Sequence, residues 1–552
     1  MVQPTNPAIP GPFVVGPVVY AAPMLQYTPV PSLRQFTLFD NPSAGYTTRR
    51  IDLSAFADFD HSVPWPFTNT DVPLNGEARI PQGQGPFLPP FPLAVFAHGN
   101  HTSTANSTPG YLYLCDLLAS QGIIAASIDA NFLNGDNFGE NGARAILHLE
   151  HILQFALWNA TPGHPLHNKV DLTRVMIIGH SRGGEAVGHA SLFHKRQMVQ
   201  PYDFSPPVRL DGSDGLGPYQ FTLRAIIAIA PTDNQHKPVT GPTQVPDNYV
   251  ILHGSRDYDV ITFEGYKTFD RSHAPNLAAP LTPATGHKSL IWVHQANHNY
   301  FNSTWNQDRN SLLPTLSRAA QEQVARVFIG AVAQAELLGT PGSLDILRDH
   351  QTATGWLPPG LVLVTQHQPA DRVYLQHFEE PGPLLRVSLP ATGAVAAVVA
   401  NAVKLHFDLG DKSHLYQETN GLRIDWTGAG ATYTVTITPN SIPKGVYNFL
   451  AVRVGQSTEP NNSPGAPQDF SIVLTNNLGV FKVLASAVQK LEYPDTVPNL
   501  PTAPKTMMQT LRIPLSRLPG GGFSPAQPLT ITFEFNQTPS GTLYLDDLQL
   551  CP

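Results

Sequence analysis

The sequence predicts a two-domain protein, in which an α/β domain with a doubly wound, mostly parallel sheet is followed by an all-β sandwich. Its 552 residues exceed what one ordinary hydrophobic core holds. From about Pro89 to Leu338, apolar runs alternate with helix-like segments, as in βαβ units. Beyond about residue 375 the runs become short and alternating, and the loops between them are rich in proline.

The amino-acid composition excludes several classes of protein. The chain has 33 basic and 41 acidic residues, so its formal net charge of −8 gives it no general attraction to nucleic acid. Charged residues make up only 13%, and there are 54 prolines, which argues against a coiled coil, a helical bundle and a highly charged disordered chain. No apolar run reaches the roughly 18 residues of a transmembrane helix. The opening MVQPTNPAIPGPF lacks the basic start and apolar core of a signal peptide.

The N-terminal prolines and the two cysteines give limited further information. Eight prolines in residues 1–31 predict an extended arm that runs over the surface and wraps the first domain, because proline cannot donate to a central strand. The two cysteines, Cys115 and Cys551, cannot form a disulfide framework and lie in no metal-binding spacing. We expect Cys115 to be a buried apolar residue of a helix.

The predicted sheet of the first domain has six almost continuously apolar strands, as expected of strands covered on both faces. These runs are 92–99, 122–130, 175–181, 223–231, 248–255 and 289–296. Helices are predicted where apolar residues recur at helical spacing or where proline and glycine bound a segment. These segments are 109–120, 140–158 and about 315–338.

A linker is predicted between the domains, because Trp356-Leu-Pro-Pro cannot be helical. We therefore divide the chain into a catalytic domain at 1–345, a linker at 346–375 and a β-sandwich at 376–552. Alternating polar and apolar residues predict its strands. The clearest of these are 431–439, 446–454, 470–476, 479–485 and 529–536.

The segment GHSRGG at 179–184 is the strongest chemical signal in the sequence. It follows a predicted strand and precedes a predicted helix, which is the context that a G-x-S-x-G nucleophile requires. Flanking glycines allow the sharp turn that exposes the Ser181 oxygen above the sheet. The helix that follows presents its N-terminal dipole to a developing anion.

A nucleophilic serine needs a general base and a carboxylate that orients this base. The carboxyl edge of the sheet offers both, because one strand ends before Asp257 and Asp259 and another ends before His298. His298 is the predicted base and Asp257 the preferred acid. Asp259 remains an alternative that could instead cap a turn, and Asp233 is a weaker third choice.

An ester's tetrahedral intermediate also needs two backbone donors for its oxyanion. One is the amide of Arg182, directly after the nucleophile. The other should come from the loop HGNHT at 98–102, where we favour the Asn100 amide and keep His101 as the alternate. His180 is expected to pack under the serine turn, and His253 to lie within its strand.

Residues 90–338 resemble the α/β-hydrolase superfamily, especially the serine esterases that include dienelactone-hydrolase-like proteins, platelet-activating-factor acetylhydrolases and cutinase-like polyester hydrolases. The matching segments occur in the family's order and read FAHGNHT, SIDANFLNG, IIGHSRGGEAVGHA, HGSRDYDV and ANHNYFN. The resemblance implies a serine carboxylester hydrolase that needs no cofactor or metal. It also implies a nucleophile, an acid, a base and two oxyanion amides, which are Ser181, Asp257, His298, Asn100 and Arg182.

Departures from the polyester hydrolases leave the substrate open between small and polymeric esters. Those enzymes usually place an aromatic residue where this chain has Asn100, and a tryptophan where it has Pro231-Thr-Asp. The late disulfide typical of them is also missing from this sequence. Tyr300, Phe301 and Trp305 could form an aromatic wall for a substrate or simply pack beneath the loop.

The chain beyond about residue 375 resembles a jelly-roll, galactose-binding-like module, on the strength of its alternating strands and the ending TLYLDDLQL. Such a module could bind a carbohydrate or polymer surface, or could be purely structural. Asp546 and Asp547 suggest calcium, but two carboxylates are too few for a six- to eight-oxygen site. The expected function is therefore that of an esterase. The alternatives are a serine peptidase of the same fold and a binding protein with a vestigial hydrolase domain.

Overall fold

The structure is a computed structural model that describes most of the chain. The described residues are 4–23, 39, 41–57, 59, 63–83, 85–135, 140–201, 205–234, 245, 248–272, 286–308, 314–379, 395–400, 404–409, 415–416, 418–428, 430–495 and 506–552. The chain divides into two compact units, of which the first comprises Met1–His273 and Gln295–Leu361. The second comprises Ala274–His294 and Val362–Pro552, and so includes a segment from within the predicted catalytic domain.

The first unit contains eleven of the described strands and six of the described α-helices. The strands are β1 (Val14–Tyr20), β2 (Arg50–Ile51), β3 (Val72–Pro73), β4 (Gly76–Gln82), β5 (Phe91–Ala97), β6 (Ile124–Ile128), β7 (Val170–His180), β8 (Met198–Val199), β9 (Val208–Arg209), β10 (Leu223–Ile229) and β11 (Tyr249–Gly254). The helices are α1 (Leu112–Ser120), α2 (Asn141–Ala160), α3 (Arg182–Phe193), α4 (Gly265–Arg271), α5 (Arg318–Glu336) and α6 (Asp345–Arg348).

The main sheet of this unit has the strand order β1-β4-β6-β5-β7-β10-β11. The five strands from β6 to β11 in this order pair in parallel, whereas β1 and β4 add an antiparallel edge. Every residue of β5, β6 and β11 is buried, so both faces of the sheet are covered. The mixed but mostly parallel sheet confirms the α/β prediction for this part of the chain.

The predicted proline-rich arm is partly wrong, because its residues 14–20 form the edge strand β1. Pro17 is tolerated there, since a strand at the edge of the sheet can lack one backbone donor. The segment before β1 lies against α1, where Gln121 donates to the carbonyls of Pro7 and Ile9 at 2.9 Å each. Residues 24–31 of the predicted arm lie outside the described residues.

The second unit contains the remaining described strands. They are β12 (His287–Val293), β13 (Leu363–Pro369), β14 (Val373–Gln376), β15 (Val395–Ala400), β16 (Lys404–Leu409), β17 (Leu415–Tyr416), β18 (Asn420–Thr427), β19 (Ala431–Ile437), β20 (Phe449–Gln456), β21 (Ser471–Asn476), β22 (Gly479–Leu484), β23 (Thr506–Met507), β24 (Gln509–Pro514), β25 (Leu529–Phe535) and β26 (Ser540–Cys551). The short helix α7 spans Ala485–Val488. The predicted linker is not a bare connection, since β13 lies within it and pairs antiparallel with β12.

Two antiparallel sheets account for most of the second unit. One has the order β16-β18-β26-β20-β24, with β14 also paired to β26, and the other has the order β15-β19-β25-β21-β22. In β19 and β25 every second residue is buried, as expected of strands with one face in a core. Side chains of both sheets, including Trp426 and Phe533, belong to one hydrophobic core. The all-β prediction for this region is confirmed at that level.

Candidate active site

Ser181 lies at a sharp turn between β7 and α3. Its φ of 58° and ψ of −123° are unusual for a residue with a side chain, and such strain clusters at functional sites. The turn is held by backbone hydrogen bonds, since the Ser181 amide donates to the Ile229 carbonyl at 2.8 Å and the Ser181 carbonyl accepts from the Gly184 amide at 2.8 Å. The side chain is therefore fixed at the carboxyl end of β7, where the sequence predicted it.

The glycines around the serine permit a close approach of three backbone segments. A Cβ at Gly179 would lie 1.9 Å from the Gly183 carbonyl oxygen, and a Cβ at Gly183 would lie 2.6 Å from the His98 carbonyl oxygen. At Gly99 a Cβ would come within 2.4 Å of the Ser181 Cβ. Any larger residue would force the loop after β5 away from the serine, so glycine is required here by space.

His298 and Asp257 form a buried hydrogen bond. The Nδ1 of His298 lies 2.7 Å from Oδ2 of Asp257, and because a carboxylate only accepts, the imidazole donates. Both side chains are almost completely buried. Nε2 of His298 therefore remains as the nitrogen that could accept a proton, and it has no hydrogen-bond partner among the described residues.

The histidine lies next to the serine turn, although no hydrogen bond joins His298 to Ser181 in the described structure. The imidazole rings of His298 and His180 are 4.8 Å apart between centroids, and His180 directly precedes the serine. The Nδ1 atom of His180 lies 2.8 Å from the Tyr111 hydroxyl, which agrees with the prediction that His180 packs under the turn. The predicted base is thus hydrogen-bonded to the predicted acid, and its ring lies against the residue that precedes Ser181.

Asp257 is held as a carboxylate by four donors. Besides His298, the amides of Asp259 and Val260 donate to its Oδ1 at 2.9 and 2.7 Å, and Nε2 of His253 lies 3.1 Å from its Oδ2. Burial raises the pKa of Asp257, but the adjacent His298 and the hydrogen bonds outweigh it and hold the pKa well below its usual range. His253 lies in β11 as predicted, whereas its contact with Asp257 carried no sequence signal.

Asp308 is a site residue that sequence reasoning missed. Its carboxylate accepts the backbone N–H groups of His298 at 2.8 Å, Asn299 at 2.9 Å and Tyr258 at 3.1 Å. It thereby joins the loop that contains Asp257 to the loop that contains His298. Burial and the nearby Asp257 raise the pKa of Asp308. Only its position ten residues after His298 could have suggested it.

Asp259 and Asp233 occupy different positions from Asp257. The carboxylate of Asp259 is 66% exposed and lies on the Nε2 side of His298, 3.4 Å away, rather than at Nδ1. Asp233 forms an ion pair with Arg271, and burial raises its pKa to about 6. Of the three candidate acids, Asp257 alone has the hydrogen bond to Nδ1 that orients a general base.

The two predicted oxyanion donors border the same pocket. Arg182 is the first residue of α3, so its amide has no acceptor within the helix. The Asn100 side chain is held in place because its Oδ1 accepts from the Gly135 amide at 2.8 Å. A pocket of about 340 Å³ opens beside Ser181, and both residues line it.

His98 fixes the loop that contains Asn100. Its Nδ1 donates to the Gly99 carbonyl at 2.8 Å, and its Nε2 accepts from the Ala130 amide at 3.0 Å. Burial, with a contribution from Arg144, lowers the pKa of His98 to about 3, so the ring stays neutral in this one tautomer. His98 therefore keeps these two hydrogen bonds near neutral pH.

A buried ion-pair network lies under this loop. Arg144 is completely buried and donates to Glu140 at 3.1 Å, to the His98 carbonyl at 3.2 Å and to the Leu133 carbonyl at 2.9 Å. Glu140 also pairs with the Arg182 guanidinium at 3.0 Å. The sequence did not predict this network, because it indicates a helix at this position but not which partners the charged residues find.

The aromatic residues after His298 are mostly packed inside the unit. Phe301 and Trp305 are buried, and the indole Nε1 of Trp305 donates to the Ser107 hydroxyl at 3.0 Å. Trp305 also stacks on His101 with ring centroids 5.1 Å apart. For these two residues the packing interpretation holds, whereas Tyr300 is half-buried and lies under the Arg318 guanidinium at 4.4 Å.

The remaining predictions concern the second unit and the whole chain. Asp546 and Asp547 both accept from the buried Arg453, at 3.1 and 3.0 Å, so a cation of the protein already pairs with these two carboxylates. Within the described ranges no group of three or more His, Cys, Asp or Glu side chains could hold a metal ion. None of the helices in the described part is long and apolar enough for a membrane span.

Comparison with protein-family models and with curated proteins finds no match.

Proposed function

We propose that the protein is a serine carboxylester hydrolase in which Ser181, His298 and Asp257 form the catalytic triad. The observation that carries the proposal is the buried hydrogen bond between His298 Nδ1 and Asp257 Oδ2, beside a serine held at φ 58° on a strand-to-helix turn. The proposal includes an α/β-hydrolase fold for the first unit, no requirement for a cofactor, and small, lipid-like or polymeric esters as substrates. The β unit is proposed as a jelly-roll flank that could bind a carbohydrate or polymer surface.

Acylation begins when an ester carbonyl enters the pocket beside Ser181. Nε2 of His298 takes the hydroxyl proton while Oγ bonds to the carbonyl carbon. The carbonyl oxygen becomes an oxyanion and accepts hydrogen bonds from the amides of Arg182 and Asn100. Collapse of this intermediate breaks the carbon–oxygen bond to the alcohol, which leaves with the proton from His298, and the acyl group remains on Ser181.

Deacylation repeats these steps with water as the nucleophile. His298 removes a proton from water, the resulting hydroxide adds to the acyl carbon, and the oxyanion again lies at the two amides. Collapse breaks the bond to Ser181 Oγ, which recovers its proton from His298, and the carboxylic acid departs. Throughout both steps the carboxylate of Asp257 stabilises the protonated imidazole and keeps Nε2 directed toward the serine.

Labelling with a fluorophosphonate tests the proposal directly. The activated Ser181 Oγ should displace the leaving group from phosphorus and retain the phosphonyl group, since the probe resembles the tetrahedral intermediate. Mass spectrometry of the digested native protein should find one adduct, on the peptide that contains Ser181. Heat-denatured protein is the control and should carry none. A native protein without an adduct would contradict the proposal and favour a binding protein with a vestigial hydrolase domain.

Asp308→Asn should lower kcat on a p-nitrophenyl ester by about 10- to 100-fold with little change in KM. The amide keeps the volume of the carboxylate, but only its oxygen can accept, so its NH2 group must face at least one of the three N–H groups. The loops that contain Asp257 and His298 therefore shift slightly relative to each other. Steady-state kinetics measure both constants, and thermal unfolding shows whether the variant remains folded.

The pH profile separates this positioning role from a merely structural one. Burial lowers the pKa of His298, but Asp257, Asp259 and Asp308 more than offset it, so the pKa is raised. Loss of the Asp308 charge removes part of that increase, and the acid limb of kcat/KM should move to lower pH because the base is neutral sooner. Asp171→Asn is the control, because Asp171 lies at the start of β7, at the end away from Ser181, where it accepts from the Thr173 amide and pairs with Arg174. An unchanged kcat and pH profile in Asp308→Asn would contradict the assignment.

A further inference from the structure

The carboxylate of Asp259 lies at the position where the base must meet its substrate. Its Oδ2 is 3.4 Å from Nε2 of His298, the nitrogen proposed to take the proton of Ser181. Asp259 lines the same pocket as the serine, and its side chain is 66% exposed. A solvent-accessible negative charge therefore stands directly beside the proposed reaction centre.

The other two carboxylates that line this pocket have cationic partners. Asp233 pairs with Arg271, and Glu264 pairs with Lys267 one turn along α4. Each of these pairs is close to neutral as seen by a ligand. Of the three carboxylates, Asp259 is the one whose charge is not balanced by an arginine or lysine among the described residues.

Among the described residues that line the pocket, Arg182 is the one arginine, and it forms no ion pair with Asp259. Its guanidinium lies 3.0 Å from the buried Glu140, a carboxylate that it shares with Arg144. Within the described part of the chain, the group that forms an ion pair with Asp259 is His298, and only when this imidazole is protonated. The base must be neutral to accept the proton of Ser181, so in the reactive form Asp259 carries a negative charge with no cation beside it.

We infer that the preferred substrates are esters bearing a positively charged ammonium group near the scissile carbonyl, with Asp259 as the counter-ion. The inference rests on the proposed esterase function and names the substrate class of that same pocket. A cationic substrate supplies the charge that the reactive form lacks, whereas an anionic one meets like-charge repulsion.

The atomic distances limit where the ammonium group lies on the substrate. When Nε2 is within hydrogen-bond reach of Ser181 Oγ, the Asp259 Oδ2 atom is at most about 6.6 Å from this oxygen. An ammonium group two or three bonds from the ester group fits that span. The cation can lie on the alcohol side, as in an amino-alcohol ester, or on the acyl side, as in an amino-acid ester.

The test compares matched cationic and neutral esters in the full-length protein. On the alcohol side the pair is butyrylcholine and 3,3-dimethylbutyl butyrate, in which a neutral quaternary carbon replaces the positively charged quaternary nitrogen. On the acyl side the pair is the ethyl ester of trimethylglycine and ethyl 3,3-dimethylbutanoate. The quantity measured is the ratio of kcat/KM for the cationic ester to kcat/KM for the neutral ester. Because this ratio is compared between variants on the same esters, the intrinsic reactivity of each ester cancels. The pair whose ratio changes in the Asp259 variant identifies whether the preferred cation lies on the alcohol side or on the acyl side of the ester.

Asp259→Asn should lower this ratio by about fivefold, the effect expected of one solvent-accessible ion pair. The asparagine keeps the shape of the side chain and removes its charge. Asp116→Asn makes the same charge change at an exposed carboxylate that pairs with Arg79, and should leave the ratio as in the wild type. Raising NaCl from 10 mM to 1 M should also reduce the ratio in the wild type, but not in Asp259→Asn.

The outcomes separate this inference from the proposed function. A lower ratio in Asp259→Asn, together with a wild-type ratio in Asp116→Asn and in the charge-retaining Asp259→Glu, supports the inference. A wild type that hydrolyses the neutral esters, with the same ratio in Asp259→Asn, overturns the inference and leaves the esterase proposal intact. If the wild type hydrolyses neither the neutral nor the cationic esters, the esterase proposal fails and the inference with it.

Discussion

Replacing Ser181 by alanine should lower the hydrolysis of p-nitrophenyl butyrate by at least about 10⁴-fold. The substitution removes only the Oγ atom, so the covalent intermediate cannot form, while the turn keeps the backbone hydrogen bonds that involve the Ser181 amide and carbonyl. Release of p-nitrophenolate measures turnover, and circular dichroism with thermal unfolding shows that the fold is retained. Residual hydrolysis should come from stabilisation by the oxyanion amides alone.

Ser191→Ala is the matched control for this experiment. Ser191 is also buried on α3, and its hydroxyl donates to the Gly188 carbonyl at 2.7 Å. Losing that hydrogen bond should cost about 1 kcal/mol of stability and little activity, because Ser191 contacts no proposed catalytic group. If Ser181→Ala retained wild-type turnover, Ser181 could not be the nucleophile. An equal loss in both variants would contradict the prediction, because the loss would then not be specific to Ser181.

The parallel strands could be predicted because burial on both faces makes their sequences continuously apolar. β5, β7, β10 and β11 each lie within or beside a predicted run. The antiparallel edge could not be predicted in this way. β4 reads GEARIPQ, and its charged residues and proline conceal a strand that is stabilised by pairing with β1 and β6.

Some residues of the candidate site could be predicted from the sequence and others could not. Ser181, Asp257 and His298 could be predicted because each follows a strand, and the ends of neighbouring parallel strands meet at one edge of a sheet. Asp308 and Arg144 could not, because their roles depend on backbone groups far away in sequence. Asp308 receives the Tyr258 amide from 50 residues away, and Arg144 donates to the His98 carbonyl 46 residues away. Contacts between residues so far apart in sequence produce no local pattern of apolar and polar residues from which they could be predicted.

Asp257→Asn should lower kcat on the same ester by about 10⁴-fold. The carboxylate Oδ2 accepts from both His298 Nδ1 and His253 Nε2, whereas an amide nitrogen at that position would donate. The imidazole would then be stabilised in the wrong tautomer, with its proton on Nε2, and could not accept the proton of Ser181. Steady-state kinetics measure the loss, and fluorophosphonate labelling should slow in proportion.

Asp259→Asn is the comparison that decides between the two aspartates. Asp259 lies at Nε2 and is exposed, so its loss should change turnover of a neutral ester by less than about tenfold. The pH profiles should differ in the same order. Both carboxylates raise the pKa of His298, so both substitutions should move the acid limb of kcat/KM to lower pH, and the larger shift should follow loss of the buried Asp257. If Asp259→Asn had the larger effect on kcat, Asp259 rather than Asp257 would be the acid of the triad.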